Sequence, residues 1–152
     1  MAALVEQAVR GARARDEEQT ITFTADLADP VEVDPLRLEQ VVTNLLDNAI
    51  KYSPDGGAID VTVSRAARDV LEIKVRDHGL GIPTGKRAHI FERFFQAHGN
   101  GHKKGMGLGL YVSRQIVELH GGEITAESPM DGGTCFIVRL PFAHSTSSQS
   151  CQ

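Results

Sequence analysis

Apolar residues recur along this chain at two different periods, and these periods predict its helices and strands. Spacings of three and four residues are typical of amphipathic helices, and they cover residues 2 to about 18, 35–52 and 108–120. Alternation of apolar and polar residues is typical of half-buried strands, and it covers residues 21–26, 59–64, 71–75, 123–127 and 134–140. A further short helix is expected near residues 89–95.

The second helix has the clearest apolar stripe, and both of its ends carry sequence signals. Asp34 followed by Pro35 supplies an N-cap and a proline at the first helical position. The turn sequence SPDGG, at residues 53–57, ends the helix. The residues expected to face the core are Leu38, Val41, Val42, Leu45, Leu46, Ala49 and Ile50. In the third helix, Gly121 is the expected C′ residue.

The order of these elements predicts the fold class. The last four strands form two neighbouring pairs, so we expect hairpins in a mixed, mostly antiparallel sheet. We therefore predict an α/β fold, a two-layer α/β sandwich of about five strands with about three helices on one face. The predicted boundaries are a helical lead-in over residues 1–19, one domain over 20–142 with a mobile loop near 96–106, and a disordered tail over 143–152.

Composition excludes several classes of protein. The 152 residues carry a formal net charge of −4, which provides no basic field for nucleic acid. No apolar run approaches the roughly 20 residues that cross a bilayer. Cys135 lies in a strand pattern and Cys151 in the polar tail, which argues against a disulfide scaffold. The small number of cysteines fits a reducing, cytoplasmic setting.

The sequence NLLDNAIKY, at residues 44–52, places polar residues beside the apolar stripe of the second helix. Asn44 and Asn48 are four residues apart and share one face, and Lys51 and Tyr52 follow on or near it. An amide oxygen can complete the coordination of Mg²⁺ held otherwise by water and phosphates. An ammonium group can bind phosphate, and a tyrosine ring can cover a base. Taken alone, such residues more often mark a solvated helix flank.

The sequence DHGLGIP, at residues 77–83, interrupts the strand pattern. Asp77 stands at a strand end, where it can accept hydrogen bonds from a buried amine, and Gly79 and Gly81 allow close backbone approach. A simple turn begun by aspartate is the alternative. The triplet DHG is also similar to the metal-binding triplet of protein kinases, but the H-R-D and V-A-I-K sequences of those enzymes are absent from this chain.

The sequence GMGLGL, at residues 105–110, alternates three glycines just before the third helix. Backbone N–H groups of such a loop and the positive end of the helix can together cradle an anion. Leu110 stands where the dinucleotide-binding fingerprint would have its third glycine, and LGIPTGKR does not match a P-loop. A flexible loop is the alternative for this stretch alone.

Together the three stretches supply a metal-ligating amide, an acceptor for an amine and a phosphate cradle, as a Mg-nucleotide site requires. In this order they resemble the N, G1 and G2 boxes of the catalytic, ATP-binding domain of bacterial sensor histidine kinases, and IFERFF at 90–95 is similar to the F box. The resemblance covers roughly residues 4–142, and GGTCFIVRLP is similar to the usual closing strand. It implies the Bergerat-type sandwich of the gyrase, Hsp90, histidine kinase and MutL ATPases.

The resemblance implies roles for individual residues of the first box. Asn48 would be the main Mg²⁺ ligand, with Asn44 assisting. Lys51 would approach phosphate, and Tyr52 would stack on adenine. Arg93 in the F box is the candidate for the γ-phosphate, and the catalytic residues implied in this way are Asn48, Lys51 and Arg93.

For the other boxes, the resemblance makes Asp77 the acceptor for the exocyclic amine of adenine, which favours ATP over GTP. Thr134 would support that carboxylate through its hydroxyl or a water molecule. The remaining residues implied to contact the nucleotide are Gly79, Gly81, Ile82, Gly105, Gly107, Leu108, Gly109 and Leu110. Residues 96–106 would form the ATP lid, and Met106 stands there in place of a more usual small or hydroxylated residue.

The phosphoryl acceptor of such kinases is a histidine on a separate helical dimerisation domain, followed by an acidic residue and a proline. None of the six histidines here has that context. His98 and His102 lie in a glycine-rich loop, which disfavours a zinc pair on one helical face. We therefore expect a piece of a longer sensor kinase that binds Mg-ATP and ADP and acts on that dimerisation domain, and so indirectly on a response regulator. By the same resemblance, the domain would be cytoplasmic and monomeric in isolation, in a parent protein that is soluble or membrane-anchored.

Two other functions are compatible with the same boxes. A serine kinase of the anti-sigma type shares the fold, and it would bind a transcription factor and phosphorylate a small antagonist. A degenerate domain would bind partners without ATP, but the intact Asn48, Asp77 and glycines argue against it. The predicted function is therefore the ATP-binding half of a protein-histidine kinase in two-component signal transduction.

Overall fold

The computed structural model describes residues 2–15, 19–26, 31–32, 34–51, 57–79, 81–82, 85–92, 109–129, 132–141 and 143–144. Its helices are α1 (Ala2–Arg15), α2 (Pro35–Lys51) and α3 (Gly109–Leu119), with a short 3-10 helix at Arg87–His89. Its strands are β1 (Gln19–Asp26), β2 (Val31–Glu32), β3 (Gly57–Ala67), β4 (Val70–Asp77), β5 (Glu123–Glu127), β6 (Thr134–Pro141) and β7 (Ala143–His144). None of the described helices is long and apolar enough to cross a membrane.

Five strands form one mixed sheet in the order β1-β3-β4-β6-β5. Strand β1 runs parallel to β3, because the chain crosses over through α2 before it returns to the sheet. The other neighbouring strands are antiparallel, and β3 and β4 form a hairpin. The predicted mixed, mostly antiparallel sheet is confirmed, and its register places Asp77 at the end of β4 opposite Thr134 at the start of β6.

The three helices cover one face of this sheet. Helix α2 packs against both other helices and against β4, while α1 contacts β1, and α3 contacts β5 and β6. Six residues of the stripe predicted for α2 are buried, and Ile50 is half-buried against them. Phe91 and Phe136 meet edge to face, with ring centroids 6.2 Å apart. The two-layer α/β sandwich is therefore confirmed.

The helix ends adopt the capping arrangements that the sequence predicted. The Asp34 carboxylate accepts a hydrogen bond from the Arg37 backbone N–H at 3.4 Å, as an N-cap does. After α3, Gly121 has a φ of +79°, and the Gly122 N–H donates to the Val117 carbonyl at 2.9 Å. This is a Schellman arrangement, in which a left-handed glycine ends the helix.

Three details differ from the sequence-based expectations. Helix α1, which was predicted as a lead-in, buries Val5, Val9 and Ala12 completely in the core and so forms part of the helical layer of the sandwich. Strand β2 lies in a predicted connector and β7 lies at the start of the predicted tail, and these two strands pair with each other. Near the short helix expected at 89–95, the structure has a 3-10 helix over Arg87–His89, and residues 93–95 lie outside its described part. Two- and three-residue elements are too short to show a hydrophobic period, and so the sequence could not place them.

Candidate functional site

Helix α2 presents three polar side chains beside its buried stripe. Asn44, Asn48 and Lys51 are half-buried, whereas Leu45 and Ala49 next to them lie in the core. Within the described residues, the Asn48 carboxamide has no hydrogen-bond partner. Because a half-exposed amide with a fixed backbone can offer its oxygen to a ligand, Asn48 retains the capacity that the sequence predicted.

Asn44 connects α2 to the start of α3. Its Nδ2 donates to the Gly109 carbonyl at 3.3 Å and to Ser113 Oγ at 3.2 Å. A carbonyl oxygen only accepts hydrogen bonds, so the nitrogen of the carboxamide must face Gly109. The Asn44 Oδ1 takes part in neither bond, and the two bonds hold the amide that was predicted to assist a metal in a single orientation.

Asp77 lies at the end of β4 and is only 2% exposed. Its Oδ1 accepts two backbone hydrogen bonds, from Gly79 N–H at 2.9 Å and from Thr134 N–H at 3.2 Å. Its Oδ2 has no partner among the described residues. One oxygen therefore anchors the carboxylate, and the other is available to accept a hydrogen bond from a ligand.

The pKa of Asp77 is raised above the ordinary value of 3.8, and burial is the main cause. The two backbone N–H groups that bind Oδ1 oppose this shift, as do the charges of His78 and Arg76. A desolvated carboxylate gains more from a good donor than one in water does. The environment of Asp77 thus favours a ligand that donates a hydrogen bond.

Two glycines with left-handed backbone bring the loop after β4 close to the loop before β6. Gly81 has a φ of +76° and Gly133 a φ of +79°, which favour glycine. A Cβ at Gly133 would collide with the Asp77 carbonyl, and one at Gly81 would lie 3.3 Å from the Gly133 carbonyl. This close approach allows Thr134 to donate its N–H to Asp77.

Helix α3 begins at Gly109, beside α2. A Cβ added to Gly109 would lie 3.8 Å from the Asn44 side chain, and Leu110 packs partly buried against the core. The structure therefore brings the predicted anion-binding end of α3 next to the predicted metal-ligating amides. Ile82, also predicted to contact the nucleotide, is half-buried against the same core.

The remaining predicted site residues lie outside the described part of the chain. They are Tyr52, Arg93, Gly105, Gly107 and Leu108, together with the predicted lid at 96–106.

Two residues of the site had no assigned role in the sequence analysis. Ser113 is completely buried and contacts Asn44. The sequence feature that could have indicated this role is a hydroxyl one turn after Gly109, on the inward face of α3. Gly133 lets the loop before β6 approach Asp77 closely. The sequence feature that could have indicated this role is only the pair of glycines before Thr134. Thr134 supports Asp77 through its backbone N–H in the described contact, whereas its side chain had been expected to do so.

Comparison with known proteins adds independent findings. Residues 33–144 match the family described as histidine kinase-, DNA gyrase B- and HSP90-like ATPase. The chain is 37% identical over 127 residues to the adaptive-response sensory kinase SasA of Rippkaea orientalis, covering 82% of this chain and 32% of SasA. The chain thus spans about a third or less of the length of the curated relatives that it matches first.

Solved structures agree with this similarity. The mycobacterial sensor histidine kinase MprB superposes with a TM-score of 0.83 and 31% identity, over 93% of this chain and 95% of that one. Full-length ShkA in complex with AMPPNP superposes with a TM-score of 0.81 and 27% identity, over 96% of this chain and 31% of ShkA.

Proposed function

This chain belongs to the family of histidine kinase-, DNA gyrase B- and HSP90-like ATPases, and from that premise we propose that it is the ATP-binding catalytic domain of a sensor histidine kinase. It would hold Mg-ATP for transfer of the γ-phosphoryl group to a histidine on a separate dimerisation domain, in two-component signal transduction. The relatives described above are sensory kinases, which favours this function over a serine kinase of the anti-sigma type.

The observation that carries the proposal is the arrangement at Asp77. A buried carboxylate has one oxygen bound by two backbone N–H groups and the other oxygen without a described partner. The exocyclic amine of adenine is a donor that would satisfy this oxygen, whereas the corresponding position of guanine is a carbonyl that would repel it. Gly79, Gly81 and Ile82 would shape the rest of the adenine pocket.

The donor set on α2 fits a magnesium ion bound together with a nucleotide. Among the described residues, no group of three or more His, Cys, Asp or Glu side chains could hold a metal ion. The available protein ligands are the amide oxygens of Asn48 and Asn44, and such neutral ligands suit Mg²⁺ whose other ligands are phosphates and water. When bound, the ion would neutralise charge on the phosphates. Lys51 would contribute a further positive charge.

The start of α3 would hold the phosphates. Gly109 and Leu110 lie at the N-terminal end of this helix, where free N–H groups and the helix dipole favour an anion. By resemblance, Gly105, Gly107 and Leu108 would extend this cradle, Tyr52 would cover the adenine and Arg93 would reach the γ-phosphate. ShkA, one of the structural neighbours, was solved with AMPPNP, an adenine nucleotide with three phosphoryl groups.

What these residues contribute to phosphoryl transfer is positioning and charge neutralisation, which are the main terms for this reaction. The histidine that accepts the phosphoryl group, and the acidic residue beside it, would come from the dimerisation domain. The response regulator would receive the group afterwards. Consequently, the chain alone should bind ATP but turn it over slowly.

Calorimetry with ADP, ATP and GTP in the presence of Mg²⁺ tests the nucleotide assignment. We expect ADP and ATP to bind and GTP to bind at least about 30-fold more weakly. In GTP the guanine carbonyl would face the Asp77 carboxylate, and this contact between two acceptors costs roughly 2 kcal/mol or more. Equal affinity for the two bases would contradict the assignment of Asp77.

Phosphoryl transfer from labelled ATP tests the kinase assignment. The label should reach the histidine of the parent's dimerisation domain only when that domain is added. Asn48→Asp should reduce transfer more than it reduces ADP affinity, because the carboxylate can still hold the metal but in a shifted position. Rapid labelling of the chain by itself would contradict the proposal.

A further inference from the structure

Ser113 is a hydroxyl-bearing residue that helix α3 buries completely. The residues on the same inward side of the helix, Ile116 and Val117, are apolar and buried. A hydroxyl in such a place is unfavourable unless it is hydrogen-bonded. Its described partner is the Asn44 carboxamide, which donates to Ser113 Oγ at 3.2 Å.

The Asn44 carboxamide nitrogen donates to two acceptors on α3. They are Ser113 Oγ, at 3.2 Å, and the Gly109 carbonyl, at 3.3 Å. Gly109 and Ser113 are four residues apart, so one turn of the helix places the two acceptors on the same side. Two bonds define the plane of the carboxamide, whereas one bond would leave it free to swing.

We propose that Ser113 is a positioning residue for the metal of the bound nucleotide. By accepting a hydrogen bond from Asn44 Nδ2, it fixes the orientation in which Asn44 Oδ1 would face the cation that Asn48 and Asn44 would share. The inference rests on the proposed function, and it assigns Ser113 an effect through Asn44 without contact to the nucleotide. It also links the amides of α2 to the start of α3, so that the metal ligand and the phosphate cradle keep a constant separation.

The test compares ADP binding to wild type and Ser113→Ala by calorimetry, once with excess Mg²⁺ and once with EDTA. We expect the affinity in EDTA to stay within about twofold, because adenine binding at Asp77 does not involve Ser113. The gain in affinity that Mg²⁺ provides should fall roughly three- to tenfold, which corresponds to one lost hydrogen bond. Ser64→Ala, which removes a half-buried hydroxyl from β3, is the matched control and should leave both affinities unchanged.

A double-mutant cycle separates positioning from a general effect on the fold. Since Ser113 acts through Asn44, Ser113→Ala should cause no further loss of the magnesium effect in an Asn44→Ala background. Ser113→Thr keeps the oxygen and should restore most of the wild-type gain. If Ser113→Ala does not fold, Ser113→Cys supplies a side chain of similar size whose sulfur is a weaker acceptor, and it should show the same selective loss.

The outcomes distinguish this inference from the proposed function. If wild type binds ADP more tightly with Mg²⁺ and Ser113→Ala retains the whole gain, the inference is overturned while the proposed function stands. Equal losses with Mg²⁺ and with EDTA, or additive losses in the cycle, also overturn it. If wild type binds no ADP in either condition, the proposed function itself fails.

Discussion

The two halves of the candidate site are built from different kinds of structure. The Asp77 half depends on backbone groups: two N–H donors, a strand register and a glycine that lets two loops touch. The Asn44 half depends on side chains that connect two helices. Backbone groups belong to every residue type, so the first half is sensitive to conformation, whereas the second is sensitive to the identity of a few side chains.

This difference suggests separate functions for the two halves. The sheet end that carries Asp77 would select the base, and its rigidity suits a choice between a donor and an acceptor at one position. Helix α2, which carries Asn44 and Asn48, would bind the metal, and the start of α3 would bind the phosphates, which change during phosphoryl transfer. Substitutions that affect only one half can therefore test whether selection and transfer are separable.

The largest expected effect is that of Gly133→Ala. A Cβ at this position would collide with the Asp77 carbonyl, in a backbone conformation that also disfavours alanine. We expect a loss of about 3 kcal/mol or more in the free energy of unfolding, measured by urea denaturation.

Gly132→Ala is the matched control for this substitution. Gly132 also has a positive φ, +102°, but a Cβ there would have no neighbour within 4 Å. The control should therefore lose only the backbone contribution, about 1 kcal/mol. Equal losses for the two variants would show that the contact with Asp77 is not what requires glycine.

The next largest effect is that of Asp77→Asn on nucleotide affinity. The amide can still accept the backbone hydrogen bonds on its oxygen, but its nitrogen then faces the amine of adenine, donor against donor. We expect ADP affinity to fall about 100-fold, or roughly 3 kcal/mol. Glu127→Gln, at the exposed end of β5, is the control and should bind ADP like wild type. Unchanged ADP affinity in Asp77→Asn would refute the assignment.

Acid should weaken ADP binding through the same group. The folded-state pKa of Asp77 is raised by burial, so this side chain takes up its proton at a higher pH than an ordinary aspartate does. Below that folded pKa, each pH unit should reduce ADP affinity by about tenfold, because the ligand requires the ionised carboxylate. Calorimetry across the acid range measures this slope, and an affinity independent of pH would contradict it.

Acid should weaken ADP binding, but through Asp77 it should stabilise the ligand-free chain. A raised folded pKa means that the folded state binds the Asp77 proton more tightly than the unfolded state does. The contribution of this group to stability is therefore present below the unfolded pKa and is lost as pH rises through the folded pKa. Asp77→Asn should accordingly have a higher Tm than wild type at neutral pH, and the difference should shrink on acidification.

The smallest expected effect is that of Thr134→Val. The described support for Asp77 comes from the Thr134 backbone N–H, which valine retains. We expect ADP affinity to change by no more than about threefold, because the backbone N–H stays in place and only the hydroxyl is lost. A loss comparable with that of Asp77→Asn would instead show that the hydroxyl supports the carboxylate, as the sequence analysis expected.

The periodic elements could be predicted because their cause is local. The stripe of α2, the N-cap at Asp34 and the C′ role of Gly121 follow from spacing and residue type, and all three are confirmed. The order of the elements also predicted the sandwich with a mixed, mostly antiparallel sheet. Such patterns survive folding because a helix or strand must bury its apolar face whatever it packs against.

The contacts that hold the site could not be predicted in this way. Asn44 meets Ser113 across 69 positions of sequence, and Asp77 meets Thr134 across 57. Neither pair has a spacing that a helix or strand would reveal. The sequence by itself determined the residue types of the site and the elements that carry them. Only the tertiary structure decided that the Thr134 backbone N–H binds Asp77 and that Ser113 and Gly133 lie at the candidate site, because these contacts depend on which strands pair and how α2 and α3 pack.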